Sequence, residues 1–140
     1  MDTPVPHDIT LHRKSATLEL DYGEEGNYQL SAEFLRVHSP SAEVKGHGPG
    51  QEVLQTGKKD VRIRAVAPVG NYAIRLDFDD GHDTGLYSWP YLWELCSQQD
   101  ALWEEYLEKL EAAGARREPL PADTQVITIQ PSPQSSPKKR

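Results

Sequence analysis

The stretch from residue 78 to residue 95 constrains the fold most, because it passes from a strand through a tight turn into a helix. Apolar residues alternate with polar ones from Tyr72 to Phe78, and this period of two predicts a half-buried strand. Asp80 and Gly81 then give a turn signal, and Ser88 can cap a helix over 89–96. The chain must therefore combine strands with helices around this stretch.

The other patterns predict an α+β domain. Alternation of the same period predicts strands near 9–11, 16–22, 28–30 and 61–65, and a brief strand at 86–87. Ser31 can cap a short helix to residue 37, and a capping box at Ser97 is expected to open a helix that ends at Gly114. Since short links join most successive strands, we expect a mostly antiparallel β-sheet domain with a short inserted helix and C-terminal helices.

The chain divides into three parts. Residues 1–7 form a flexible lead-in, residues 8–114 form one domain with a modest core, and residues 115–140 form a Pro/Ser-rich tail that we expect to be disordered. The run of Val, Ile, Thr and Ile at 126–129 is a small exception that could dock as an edge strand.

Charge and cysteine content exclude several classes of function. Residues 1–114 carry 10 basic and 20 acidic side chains, whereas the tail carries 5 basic and 2 acidic ones. An acidic body disfavours nucleic-acid binding, because phosphate contacts need a basic face. The chain has one cysteine, Cys96, so neither an internal disulfide nor a site with several thiolates can form within it. Without a membrane span or signal peptide in the sequence, the expected location is cytoplasmic and away from membranes.

Four segments carry a resemblance to a known family. They read LRVHSPSAEV (35–44), GHGPGQ (46–51), PVGNYA (68–73) and DDGHDTGLYSW (79–89). In this order they resemble bacterial proteins of the uncharacterised DUF971 family, which is similar to the N-terminal domain of gamma-butyrobetaine hydroxylase. The resemblance covers about residues 8–112 and implies a compact, mostly antiparallel β fold with an inserted helix and a terminal helix. Such domains also occur attached to P-loop ATPases that carry iron–sulfur clusters, and as the lead domain of oxygenases.

The resemblance also raises the question of zinc. In the hydroxylases, three cysteines and one histidine of this domain hold a structural zinc ion. Aligned residue by residue, the cysteine positions fall here on Ser39, Ser41 and Val44, and the histidine falls on His82. A serine hydroxyl is a poor zinc ligand and valine is none, so the zinc is not carried over to this chain. We expect Ser39 and Ser41 to hydrogen-bond to His82 and to fasten the loop instead.

Other side chains leave a metal site or a reaction open as alternatives. The candidate donors are His38, His47, His82, Glu43, Asp79, Asp80 and Asp83. They would suit zinc, iron or manganese if the fold brought the segment 39–44 beside His82. The Asp–His run could also serve acid–base chemistry in a small hydrolase or lyase, but no nucleophile pattern accompanies it. The oxygenase half of the hydroxylases does not occur in this sequence, so the resemblance does not imply an oxygenase.

The sequence therefore favours a non-catalytic accessory or protein-interaction domain. Its partner would be another protein or a second copy of the chain, and no cofactor is expected. Trp103 and Tyr106 on the last helix are the candidate interaction surface. The alternative is a metal-binding protein linked to iron or iron–sulfur cluster handling, with zinc or iron at a degenerate site around His82.

Overall fold

The structure is a computed structural model that describes residues 3–46 and 52–119. In chain order the elements are β1 (Asp8–His12), β2 (Thr17–Asp21), a 3₁₀ turn (Gly23–Glu25), β3 (Asn27–Ser31), α1 (Ala32–Val37), α2 (Ala42–Lys45), β4 (Ile63–Val69), β5 (Ala73–Phe78), β6 (Leu86–Ser88), α3 (Trp89–Ser97) and α4 (Gln99–Ala113). The α+β class is confirmed. No helix in these two ranges has both the length and the apolar character needed to cross a membrane.

The strands form two antiparallel sheets of three strands each. One has the order β1-β2-β3 and the other the order β4-β5-β6, with Leu18 opposite Leu30 in the first and Ile74 opposite Tyr87 in the second. Short links join the strands within each sheet, as the sequence predicted. Between β3 and β4, however, the chain runs through α1, α2 and a long connection, so the two sheets are separate.

One core lies between the sheets and the helices. The alternation along β2 and β5 sends every second side chain inward, and Leu20, Leu76 and Phe78 have no exposed surface. Leu35 of α1 and Leu92 of α3 cover the same core. Each such side chain contributes roughly 1.5–3 kcal/mol by leaving water, so this core holds α1 and the start of α3 firmly in place.

The start of the last helix differs from the prediction. Ser97 was expected to cap it, but the Ser97 hydroxyl donates to the carbonyl oxygen of Trp93 (2.9 Å) and belongs to the end of α3. The N-cap of α4 is Gln98, whose side chain makes no capping hydrogen bond. The capping-box prediction was wrong because the preceding helix uses the same hydroxyl.

The packed part of the chain extends beyond the predicted boundary at residue 114. Arg117 makes two hydrogen bonds with the carboxylate of buried Glu33, at 2.9 and 2.8 Å. The backbone N–H groups of Gly57 and Lys59 donate to the carbonyl oxygens of Arg116 and Arg117, both at 2.9 Å. Residues 115–119 are therefore held against the body. The rest of the tail, with the run at 126–129, lies outside the described residues, as does the histidine at position 47.

Candidate functional site

The ends of two elements bring the segment 38–44 beside the segment 79–85. Helix α1 ends at Val37 with His38 as its C-cap, and Pro40 follows two residues after the cap. Strand β5 ends at Phe78, and a turn with Gly81 at a φ of 90° reverses the chain. The backbone N–H of Phe78 donates to the carbonyl oxygen of His82 (2.9 Å), which closes this turn and directs the imidazole inward.

A hydrogen-bonded chain joins buried Ser39 and His82 to the exposed carboxylate of Glu43. His82 Nε2 lies 2.8 Å from Ser39 Oγ, and His82 Nδ1 lies 3.0 Å from Glu43 Oε1. Since a carboxylate accepts, Nδ1 carries the proton and Nε2 accepts the hydroxyl hydrogen of Ser39. Ser39 Oγ in turn accepts the backbone N–H of Ser41 at 3.2 Å. Both ring nitrogens of the neutral imidazole therefore have hydrogen-bond partners.

A second tie beside this chain involves Ser41. Its hydroxyl lies 2.8 Å from that of Thr84, and it also accepts the backbone N–H of Glu43 to cap α2. Ser39 therefore contacts His82 as the sequence analysis expected, whereas Ser41 contacts Thr84 instead. We call Ser39, Ser41, Glu43, His82 and Thr84 the serine–histidine junction.

Gly85 completes the packing of the junction. A Cβ atom at this position would lie 2.5 Å from Ser39 Oγ, far inside van der Waals contact. The close approach of the two segments thus requires a residue without a side chain at position 85. The roles of Gly85 and Thr84 were not predicted, because nothing in the neighbouring sequence indicates a contact with residues more than forty positions away.

The charges around His82 favour its neutral form. Burial lowers the pKa of His82, and the positive charge of Arg36 lowers it further, against the opposing effect of Glu43 and Asp80. Arg36 Nε donates to Asp80 Oδ2 (2.8 Å) and Lys58 Nζ donates to the same oxygen (2.6 Å). Burial alone would raise the pKa of Asp80, but these bonds and the backbone N–H of His82 outweigh it and lower that pKa to about 2.

The residues of the junction do not fit a zinc ion. Structural zinc takes four sulfur or nitrogen donors in a tetrahedron, and here only His82 is of that kind. Both of its ring nitrogens already have partners, and Val44 presents an aliphatic side chain that is 6% exposed. Within residues 3–46 and 52–119, no group of three or more His, Cys, Asp or Glu side chains is placed to hold a metal ion.

Ser39, His82 and Glu43 are connected in the same order as a serine-hydrolase triad. Here, however, the serine is buried. A nucleophilic serine must present its oxygen to a substrate, whereas Ser39 has no exposed surface and its Oγ is enclosed by Gly85 and Ser41. The exposed carboxyl groups of Asp79 and Asp83 lie at the turn and do not contact the imidazole. The arrangement therefore supports a structural contact between two loops better than it supports acyl transfer.

The predicted aromatic surface is mostly covered. Tyr106 is 4% exposed and its hydroxyl donates to the carbonyl oxygen of Gln55 (2.8 Å). Trp103 is half-buried, with the Arg117 guanidinium 5.0 Å from its ring centre. His38 donates from Nδ1 to the carbonyl oxygen of Phe34 (2.9 Å) and lies apart from the junction's imidazole. Tyr106 thus belongs to a small core with Val37 and Leu110.

A groove between the two sheets is a second candidate surface. It has a volume of about 480 Å³ and lies between β1 and β4. Its apolar lining consists of Ile9, Leu11, Val66, Pro68, Ile74 and Trp89. Among the described strands, β1 pairs only with β2 and β4 pairs only with β5, so each presents one unpaired edge. We call this feature the inter-sheet groove.

Arginine side chains close one end of the inter-sheet groove. Arg13 Nη2 donates to the carbonyl oxygen of Arg64 (2.9 Å), and Arg62 Nη1 donates to the carbonyl oxygen of Arg13 (2.8 Å). The two strands are thus joined through side chains and not by a backbone ladder.

Comparison with known proteins identifies the family. The family model described as "Gamma-butyrobetaine hydroxylase-like, N-terminal" matches residues 9–93. A protein solved by NMR in solution is 50% identical, with a TM-score of 0.75, and the match covers 91% of this chain and 100% of that one. A second NMR solution structure is 54% identical, with a TM-score of 0.72 and coverage of 91% and 96%.

A third solved relative carries the second family name. It is the crystal structure of a protein of unknown function of the DUF971 family from Acidithiobacillus ferrooxidans, 37% identical, with a TM-score of 0.54 and coverage of 64% of this chain and 90% of that one. The search of curated proteins finds no match. With more than half of its length matched by the family model, this chain belongs to the gamma-butyrobetaine hydroxylase-like N-terminal family.

Proposed function

We propose that this chain is a non-catalytic accessory domain that docks an extended segment of a protein partner in the inter-sheet groove. The observation that carries the proposal is that the unpaired edges of β1 and β4 border one groove, into which Ile9, Leu11 and Val66 contribute apolar side chains. An extended peptide beside such an edge gains main-chain hydrogen bonds for affinity, and alternate side chains enter the groove for specificity.

The chemistry of the groove defines the segment that it would bind. Ile9, Leu11 and Val66 favour aliphatic or aromatic side chains at every second position of the bound strand. Arg13 at the closed end favours an acidic side chain there. Exposed edges of this kind otherwise promote aggregation, so occupation by a partner would also protect the folded domain.

The serine–histidine junction supports this role as a rigid frame. It fastens the segment after α1 to the segment after β5 through the Ser39–His82 and Ser41–Thr84 contacts. We propose that these hydrogen bonds do the work of the zinc ion of the hydroxylases and that the domain needs no metal or cofactor. The proposal is supported by the hydrogen-bond partners of both His82 ring nitrogens and of the Ser39 and Ser41 hydroxyls.

Selection of binding peptides tests the proposed function. Short displayed peptides would be selected on the protein, and their affinity measured for the wild type, Val66→Glu, Ile9→Glu and the matched control Leu107→Glu. Leu107 is 38% exposed on α4, so Leu107→Glu adds the same charge outside the groove. We expect the two groove variants to lose at least about tenfold in affinity, or about 1.4 kcal/mol, while the control retains binding.

Folding of each variant is checked by its melting temperature. Equal binding by the wild type and both folded groove variants would place the bound peptides elsewhere and contradict the proposal. Failure to enrich any peptide, in a protein whose groove is free, would contradict it as well.

A further inference from the structure

We propose that a cavity beside helices α1, α2 and α4 binds a free α-amino acid with an apolar side chain. The cavity lies between residues 37–38, 44–45 and 52–55 and the face of α4 that carries Leu102 and Tyr106. We call it the α1–α4 cavity. It shares no lining residue with the inter-sheet groove, so the inference goes beyond the docking proposed above and does not rest on it.

The inner wall of the α1–α4 cavity is apolar, and the cavity is small. Val37, Val44 and Tyr106 are buried side chains of this wall, and Leu54 and Leu102 are half-buried ones. The cavity volume is about 230 Å³. Sites for drug-sized ligands have roughly 300–1,000 Å³, so this cavity suits a smaller molecule with a hydrocarbon part.

Four charged side chains line the same cavity, and two of them satisfy each other. Lys109 Nζ lies 3.6 Å from Glu105 Oε2. Lys45 and Glu52 are both exposed, and neither forms an ion pair with another described residue. The Lys45 ammonium lies 4.9 Å from the centre of the Tyr91 ring instead. One cation and one anion are thus available to a ligand.

The backbone brings these two charges to neighbouring points of the rim. The backbone N–H of Val53 donates to the carbonyl oxygen of Val44 (2.8 Å). Lys45 follows Val44 and Glu52 precedes Val53, so each is one residue from this hydrogen bond. The ammonium and carboxylate groups of a free amino acid are joined through a single carbon atom. They can therefore pair with Glu52 and Lys45 while the side chain enters the apolar interior.

The pair of opposite charges distinguishes a free amino acid from the ends of a peptide. The first residue of a peptide has the ammonium group without the carboxylate, and the last residue has the carboxylate without the ammonium group. Either one would leave Lys45 or Glu52 without a partner. A simple organic acid or amine would, in addition, place its charge near a rim group of the same sign.

An NMR titration of the full chain with four probes tests the inference. L-leucine should bind with a dissociation constant of about 1 mM or lower and shift the amide signals of residues that line the α1–α4 cavity. L-leucinamide, N-acetyl-L-leucine and glycine each lack one of the three features, namely the carboxylate, the ammonium group or the apolar side chain. We expect each to bind at least about tenfold more weakly than L-leucine.

Two neutral variants assign the charges to their residues. Lys45→Gln and Glu52→Gln should each weaken the binding of L-leucine at least about tenfold. Lys45→Gln should no longer favour L-leucine over L-leucinamide, and Glu52→Gln should no longer favour it over N-acetyl-L-leucine. The matched controls Lys14→Gln and Glu24→Gln remove the same charges from exposed positions outside the cavity and should leave binding unchanged. The melting temperature of each variant checks its folding.

Three results would overturn the inference. One is the absence of shifts at the cavity up to about 10 mM L-leucine. Another is binding of L-leucinamide or N-acetyl-L-leucine as tightly as L-leucine, since the cavity would then hold the end of a peptide. The third is equal binding of L-leucine by the wild type, Lys45→Gln and Glu52→Gln. None of these results bears on peptide docking in the inter-sheet groove, because the two sites have no residue in common.

Discussion

His82 is a buried titratable side chain whose partners are a hydroxyl on one side and a carboxylate on the other. Its contact with Ser39 spans forty-three positions in sequence. The residues were recognisable from the resemblance, since three cysteine positions are replaced by Ser39, Ser41 and Val44. The different contacts of Ser39 and Ser41 could not be predicted, because they depend on which hydroxyl faces the imidazole. That geometry is set by the turn after β5 and not by local sequence.

The contact between Gly85 and Ser39 gives a prediction at this scale. Gly85→Ala places a methyl group against Ser39 Oγ and should destabilise the fold by about 1–3 kcal/mol through overpacking. Ser39→Ala should cost about 1–3 kcal/mol because it leaves the imidazole nitrogen of His82 without a partner. In the double variant the methyl group enters the space that the hydroxyl vacates. Chemical denaturation of all four proteins should therefore give a combined loss smaller than the sum, and strictly additive losses would contradict the contact.

At the scale of elements, the helix starts show what local chemistry can and cannot predict. Ser31 and Ser88 were predicted as caps, and their hydroxyls accept the backbone N–H groups of Phe34 and Tyr91. Ser97 has the same local signal and fails, because α3 continues to that residue. The division into two sheets could not be predicted from local sequence either, because strand pairing across a long connection depends on contacts distant in sequence.

Alanine substitutions at two serines test the assignment of the caps. Ser88→Ala should destabilise the fold by about 1 kcal/mol, because the first turn of α3 loses its side-chain acceptor. Ser97→Ala removes only a hydroxyl that binds carbonyl groups of its own helix and should change stability by no more than about 0.5 kcal/mol. Thermal denaturation measures both effects. The reverse order of costs would restore Ser97 as the cap of α4.

At the scale of the whole molecule, two histidines make the fold sensitive to mild acid. Burial lowers the pKa of His82 and of His38 in the folded protein. The unfolded chain, with a histidine pKa of about 6.5, therefore binds protons first as the pH falls. Stability should be complete above that pH and should decrease from about pH 6.5 downward. Asp80 keeps its charge through this range, since its pKa is lowered to about 2.

The size of this effect can be measured with urea at several pH values. Each histidine that remains neutral on folding contributes at most about 1.4 kcal/mol per pH unit to the slope. His82→Gln should make the loss of stability between pH 7 and pH 5 shallower, although the variant is less stable at pH 7. A slope unchanged from the wild type would mean that His82 does not resist protonation in the fold.

The two sheets, the junction and the groove form one scaffold in this account, and hydrogen bonds hold it where the hydroxylases have zinc. The most direct test is elemental analysis of the untagged protein for zinc and iron, prepared with and without air, beside His82→Ala. We predict far less than one metal ion per chain in both proteins and the same melting temperature with and without a chelator. Near-stoichiometric metal in the wild type that is lost in His82→Ala would contradict the account and make the junction a metal site.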